Sequence, residues 1–252
     1  MARNLSLIFK KVPERMPVAG EHLAVEDIGY DELSASKGGI VTENLYASLD
    51  PYLRGLMHGS TPNSYTAGLQ EGFPVQTQSI AKVIQSDNPD VKEGSTIIAM
   101  LPVQEYSVLD AETVKAIGVR SLDLENGPKD IRDLLGALGA PGLTAYSSFY
   151  CIGKPKKGEM IFISSAAGAV GQIVGQLAKR EGLKVVGSAG SDEKCKLCVE
   201  KLGFDECWNY KTTSPADALD KYCPDGKSTH SLYTLTLLNM SRHRHLLRQC
   251  WR

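Results

Sequence analysis

The chain has 252 residues, 42% of them hydrophobic and 23% charged, with a formal net charge of −1. That length suits one large or two ordinary domains, and the composition is that of an ordinary globular protein. The near-zero charge gives no case for nucleic acid or an acidic membrane surface as a partner; no stretch approaches the roughly 18 apolar residues of a membrane helix; and residues 1–16 read without the apolar core or small-residue cleavage site of a secretory signal.

Residues 1–110 read as mostly β. Leu5–Phe9, His22–Ile28, Gly39–Leu49, Ser79–Gln85 and Thr96–Leu101 are short apolar or alternating runs. Gly, Pro, Asn and Asp clusters separate them, as turns separate strands. Strands at that spacing suggest a small barrel or a sandwich. Ser48-Leu49-Asp50-Pro51-Tyr52-Leu53-Arg54 predicts a short helix leaving a strand end, with Asp50 as its cap and Pro51 at its first position. Tyr52 and Arg54 fit either a plain capping turn or a pocket, since functional side chains gather on such connections. Ser60–Phe73 is polar and Gly-bearing, a loop that could lie over a pocket. Residues 110–130 are mixed. Ile131–Leu138 starts a helix that Gly139–Gly142 breaks, Leu143–Tyr150 is a further helix, and Lys154–Glu159 is a solvated turn.

The most informative stretch follows. Met160–Ser164 is apolar and too short for a helix, so it reads as a buried strand. Ser164–Gly171, SSAAGAVG, is a run of small residues. Val170–Gly182 then carries apolar residues at helical spacing, with Lys179 and Arg180 in its last turn and Gly182 as its stop. Leu183–Ser188 is a second strand. A strand, a small-residue turn, a helix and a second strand form the unit that lays a pyrophosphate on a helix N-terminus. Small residues let backbone N–H groups approach the phosphates, and the helix dipole favours negative charge there. Here Ala166 stands in the place of the first glycine of the fingerprint, followed by Gly168 and Gly171.

The second strand's tip decides the dinucleotide. An NAD site usually places Asp or Glu there, about 20 residues on, for the ribose 2′-hydroxyl. The tip here is Gly187-Ser188-Ala189-Gly190-Ser191, with no carboxylate. Asp192 and Glu193 read as first-turn residues of the next helix, with Ser191 as its cap. Lys194 then has the charge to pair with a 2′-phosphate, which favours NADP(H), although a solvated helix lysine is the plain alternative. Cys195–Leu202 completes that helix and Gly203 stops it. Glu206–Trp208 suits a third strand that delivers Tyr210 beside the adenosine side of the site. Ser214–Tyr222 is a helix capped by Ser214 with Pro215 at its first position, and Pro224–Gly226 is a turn.

Six cysteines are too sparse for a disulfide scaffold and point to a reducing compartment, the cytoplasm. Cys195 and Cys198 lie one helical turn apart without a second close pair, so packing or surface thiols are expected and a metal is not.

The blocks SLDPYLRGLM (Ser48–Met57), LGAPGLTAY (Leu138–Tyr146), ISSAAGAVGQIVGQLAK (Ile163–Lys179), VVGSAGSDEK (Val185–Lys194) and LGFDECWNYK (Leu202–Lys211) occur in an order that resembles the zinc-independent medium-chain dehydrogenase/reductases. The nearest branch is the NADP-dependent 2-alkenal (double-bond) and prostaglandin reductases. The resemblance implies an α/β plus β fold: an N-terminal GroES-like β-barrel catalytic domain over residues 1–128, then a partial Rossmann parallel sheet for NADP(H) over 129–226. It implies hydride transfer from NADPH to the β-carbon of an α,β-unsaturated aldehyde or ketone, a small-molecule partner, with a homodimer left open. Carried over by motif, Ala166, Ala167, Gly168, Ala169, Val170 and Gly171 face the pyrophosphate. Gly190, Lys194 and Tyr210 surround the 2′-phosphate and its ribose, Thr144 lies near the nicotinamide, and Tyr52 and Arg54 line the substrate pocket. Zinc-binding relatives place a cysteine in the first domain; this chain has none before Cys151, so no metal is expected.

The chain departs from the family in three places. Val75–Ser79 replaces a Gly-containing strand, and a Gly-Trp before Gln104 is missing. Residues 227–252 then turn basic, with five Lys or Arg, no acid and three of the five histidines. That change reads as a shifted reading frame or a retained intron, with a basic interaction tail as the competing reading. It leads to the expectation of a Rossmann sheet that stops near three strands. A non-catalytic fragment keeping part of the NADP site is accordingly the alternative to an active reductase.

Overall fold

The structure is a computed structural model that describes residues 3–30, 33–58, 68–222, 228–233 and 236–239. It divides into two compact units, residues 1–135 and 136–252.

The first unit is built of antiparallel strands. β1 (Leu5–Phe9) pairs with β2 (Leu23–Asp27), Leu5 opposite Asp27 and Phe9 opposite Leu23. The rest form one five-stranded sheet from β3 (Ile40–Ala47), β4 (Gln76–Ser86), β5 (Thr96–Pro102), β6 (Tyr106–Leu109) and β7 (Arg120–Ser121), in the order β6-β3-β4-β5-β7. β1 is tied to two later segments: Leu7 N–H donates to Val103 O, and Val75 N–H donates to Leu7 O, both at 2.8 Å. Buried side chains of the large sheet, including Ile40, Val83, Ile97 and Leu101, make one core. A second gathers Phe9, Leu53, Met57 and Val75. Burying one such aliphatic or aromatic side chain stabilises by about 1.5–3 kcal/mol, so these clusters fix the register that carries the connection after β3.

That connection holds α1 (Tyr52–Leu56). Pro51 has helical dihedrals (φ −58°, ψ −24°), as expected for proline at a helix start, but no side chain caps this helix. The expected Asp50 cap is not formed. Its carboxylate instead accepts from Ser48 Oγ at 2.8 Å, while the Asp50 carbonyl accepts from Leu53 N–H at 3.0 Å. Residues 59–67, most of the expected Ser60–Phe73 loop, lie outside the described residues. In the mixed stretch, α2 (Ala111–Ala116) is capped by Asp110, whose side chain accepts from Thr113 N–H. The helix expected from Ile131 is a short 3₁₀ turn, Ile131–Leu134, capped by Asp130.

In the second unit, Gly139–Gly142 does not break a helix; it starts one. α3 (Ala140–Tyr146) has Pro141 in its first turn and continues as a π-helical turn, Ser147–Gly153, that ends on Lys154 in the left-handed region. β8 (Met160–Ile163), α4 (Ala169–Arg180), β9 (Lys184–Ala189), α5 (Asp192–Glu200), β10 (Glu206–Asn209) and α6 (Pro215–Tyr222) follow. β8, β9 and β10 are parallel neighbours. α4 packs against the sheet through Val174, Gly175 and Ala178, joined by Phe149, Ile161, Val185 and Phe204. Gly175 and Gly187 permit that closeness: a Cβ on Gly175 would stand 2.1 Å from Phe204 Cε2, and one on Gly187 2.7 Å from Ala166 Cβ. Ser214 caps α6, its Oγ accepting from Asp217 N–H at 3.2 Å.

The sheet does not stop at three strands. β11 (Ser228–Tyr233) runs parallel beside β8, and β12 (Thr236–Asn239) antiparallel beside β11. The order is β10-β9-β8-β11-β12. The chain therefore reverses its direction of travel across the sheet at β8, which makes the carboxyl end of β8 the switch point where open α/β sheets bind ligands. Cys223, the Pro224–Gly226 turn, His243, His245 and Cys250 lie outside the described residues. The fold is thus α/β plus β, a small antiparallel β domain followed by a Rossmann-like sheet.

Candidate dinucleotide site

The turn after β8 sits at that switch point. Ser165 has φ 49°, a left-handed conformation that L side chains seldom adopt. Ala166 follows, buried, and its N–H donates to Ser188 O on β9 at 2.9 Å. The chain then folds back: Gly168 N–H donates to Ser165 O at 2.8 Å, and Gly168 becomes the extended N-cap of α4. Gly171, in the first turn, lies so close to the loop that a Cβ would stand 2.6 Å from Ser165 O and 2.8 Å from Ala166 O. Gln172 clamps the other side, donating from Nε2 to Ala167 O at 2.7 Å. The result is a tight small-residue loop whose exit is the N-terminus of a twelve-residue helix. The N–H groups of that first turn have no carbonyl four residues back to bind, and they carry the positive end of the helix dipole.

The tip of β9 lies next to it. Gly190 follows Ala189 directly, and a Cβ there would stand 2.9 Å from the Tyr210 hydroxyl. Tyr210 is held at the end of β10 by its N–H, which donates to Ala189 O at 3.1 Å. Ser191 caps α5, accepting from Lys194 N–H at 3.4 Å. The two acids beyond the tip are engaged locally. Asn209 Nδ2 donates to Asp192 Oδ1 at 2.8 Å. The Ser191 hydroxyl, bonded to the Glu193 carboxyl, holds it below the usual carboxylate range. Lys194 is exposed on the first turn of α5 and has no ion pair among the described residues. The structure thus brings Ala166–Gly171, Gly190, Lys194 and Tyr210 to the carboxyl ends of β8, β9 and β10. Thr144 lies exposed on α3, a helix that packs on α4.

Tyr52 and Arg54 belong to the first unit. Both are exposed on α1. Arg54 donates from Nη2 to Arg15 O at 2.7 Å, and Tyr52 Oη meets Thr77 Oγ1 at 3.3 Å. Sequence reasoning missed Thr77, because nothing in the polar run Gln76–Ser79 marks one of its residues as the partner of a side chain 25 positions earlier.

Cys195 and Cys198 are both buried on the inner face of α5, and half-buried Cys207 packs beside Cys198. Burial pushes the Cys195 thiol up, while a hydrogen bond from Cys207 lowers Cys198. Among the described residues, no three His, Cys, Asp or Glu side chains are grouped to hold a metal ion. No helix among them is long and apolar enough to cross a membrane.

A small antiparallel domain followed by a dinucleotide-type sheet defines the class of two-part nucleotide-dependent oxidoreductases. Two family models match: "N-terminal domain of oxidoreductase" over residues 6–117 and "Zinc-binding dehydrogenase" over residues 169–235. The second match runs on through β11, past the point at which the sequence reading placed the end of the family likeness. The chain is 46% identical over 231 residues to NADP-dependent oxidoreductase RED1 of Cochliobolus heterostrophus, covering 90% of this chain and 64% of that protein. It is 42% identical over 189 residues to the NADP(+)-dependent 2-alkenal reductase of Nicotiana tabacum, covering 74% of this chain and 53% of that one. Among solved structures, CurA from Vibrio vulnificus in complex with NADPH aligns with a TM-score of 0.76 at 31% identity, over 88% of this chain and 62% of that chain. The chain belongs to the medium-chain dehydrogenase/reductase family, in its zinc-independent reductase branch. It spans less than two thirds of the length of these relatives.

Proposed function

We propose that this chain binds NADP(H) and reduces the C=C bond of an α,β-unsaturated aldehyde or ketone. The observation that carries the reading is the tip of β9: it holds Gly190 where an NAD site would hold a carboxylate, the next acid is bonded to Asn209, and Lys194 follows. A 2′-phosphate at this tip meets a cation and a tyrosine hydroxyl, with no acid at the tip itself to repel it. The first turn of α4 takes the pyrophosphate on backbone N–H groups. The names of the relatives, an NADP-dependent oxidoreductase and a 2-alkenal reductase, and of the NADPH-bound CurA structure support this assignment.

When bound, the dihydronicotinamide supplies a hydride for the β-carbon of the enal or enone, and a proton completes the reduction at the α-carbon. Thr144 borders the nicotinamide end, and Tyr52 and Arg54 contact the substrate. The test is NADPH oxidation by the purified chain, followed by absorbance with a 2-alkenal. Steady turnover above the enzyme-free rate is expected; binding of NADPH without turnover would favour a chain that retains the cofactor site alone.

A further inference from the structure

Thr77 lies on β4, fully buried, and its hydroxyl makes two contacts. Its Oγ1 donates to Ser48 O at 2.5 Å. A carbonyl oxygen has no proton to give, and a threonine hydroxyl has one, so the direction of that bond is settled. The second contact, Tyr52 Oη to Thr77 Oγ1 at 3.3 Å, then has one sense: Tyr52 donates and Thr77 accepts. Ser48 is itself fixed, its N–H donating to Gln78 O at 2.9 Å and its hydroxyl to Asp50 at 2.8 Å. The protons of Tyr52 and Thr77 are therefore both committed within the protein. The Tyr52 ring is 41% exposed, and what its oxygen offers a ligand is lone pairs.

We propose that Thr77 is a positioning residue that makes Tyr52 a hydrogen-bond acceptor, so that the site prefers unsaturated carbonyl compounds carrying a hydroxyl donor over analogues that lack one. This rests on the reading of Tyr52 as a substrate-contacting residue. A phenol whose proton is committed to Thr77 does not serve the substrate carbonyl as an acid while that bond lasts. A hydroxyl on the substrate pairs with it, and an ether in the same place meets lone pair against lone pair. A site that leaves one polar partner unpaired discriminates more sharply than one that fills an apolar gap.

The probes are hydroxybenzalacetone and its methyl ether, compared by the ratio of their kcat/KM values with NADPH. The wild type is expected to favour the phenol by about three- to tenfold, the range of one net hydrogen bond. Tyr52→Phe brings the ratio close to unity. Thr77→Val releases the Tyr52 proton to face either substrate, so the ratio falls toward unity, and Thr77→Ser restores it. A packing defect at Thr77 slows both substrates together and leaves the ratio unchanged. A wild-type ratio of unity, or a Thr77→Val ratio equal to the wild type, overturns the proposal while the reductase reading stands. If neither enone is turned over, the same ratio is taken from dissociation constants. A preference there, lost in Thr77→Val, keeps the proposal and removes the reductase reading; no binding of either removes both.

Discussion

The Tyr210 hydroxyl lies against the α-carbon of Gly190, so close that a methyl group on Gly190 would stand 2.9 Å from the hydroxyl oxygen and 3.3 Å from the ring carbon that bears it. The two residues directly follow the adjacent parallel strands β9 and β10, and the bond from Tyr210 N–H to Ala189 O keeps them in step. Gly190→Ala must displace the Tyr210 hydroxyl. The ring is half-exposed, so its hydroxyl is the atom that gives way. The expected result is NADPH affinity lowered about three- to tenfold. Fluorescence titration of the variant checks it.

In the proposed reading, Lys194 carries the cofactor preference. A charge-assisted bond to a phosphate contributes about 1.5–3 kcal/mol, and NADH has no 2′-phosphate to receive it. Lys194→Ala is therefore expected to weaken NADPH by tenfold or more, with the loss shrinking as salt rises, and to leave NADH affinity alone. Parallel titrations with the two cofactors measure this.

Two glycines separate packing from propensity. Gly175→Ala drives a Cβ to within 2.1 Å of Phe204 Cε2 in the core between α4 and the sheet. Phe204 is buried and has nowhere to go, so a loss of about 1–3 kcal/mol is expected. Gly55, in α1, has nothing within 4 Å of its would-be Cβ. Gly55→Ala is expected to be neutral or to stabilise by about 0.5–1 kcal/mol. Denaturant unfolding of the two variants decides it.

Much of the second unit could be read from the sequence because its signals are local. Ser191 and Ser214 cap helices where their positions predicted, and Gly182 ends α4 with φ 78°. The small residues of Ser164–Gly171 are needed at van der Waals range, as the close approach of Gly171 to Ser165 O makes plain. Part of what stayed hidden depends on partners far along the chain, and part on local competition. β6 is only four residues long and is held by β3, over sixty positions earlier. β11 lies in the basic stretch whose composition argued against a family element, yet it pairs with β8. Asp50 looked like a cap in every local respect, but Ser48 beside it offered its hydroxyl first. The left-handed residue of the turn is Ser165, one position before the Ala166 that the fingerprint singles out.

Asp130 gives a local pH signature. Hydrogen bonds from the Arg132 side chain and then its backbone hold the Asp130 carboxyl at about 2, below the ordinary 3.8. A group whose pKa falls on folding contributes stability that is complete above its unfolded pKa and is lost as pH drops through the folded one. Its contribution to the 3₁₀ turn therefore persists at pH values above the ordinary carboxyl range and disappears as the pH approaches about 2. Carboxyl NMR titration should show Asp130 titrating near that value in the wild type and moved up toward the ordinary value in Arg132→Ala, which keeps only the backbone bond.

The reductase account is tested most directly by incubating the purified chain with NADPH and a 2-alkenal and recording cofactor oxidation together with the saturated aldehyde formed. The account predicts steady oxidation with one saturated aldehyde per NADPH, far slower with NADH, and slowed by Lys194→Ala through the NADPH KM. No oxidation above the enzyme-free rate, or equal rates with the two cofactors, would contradict it.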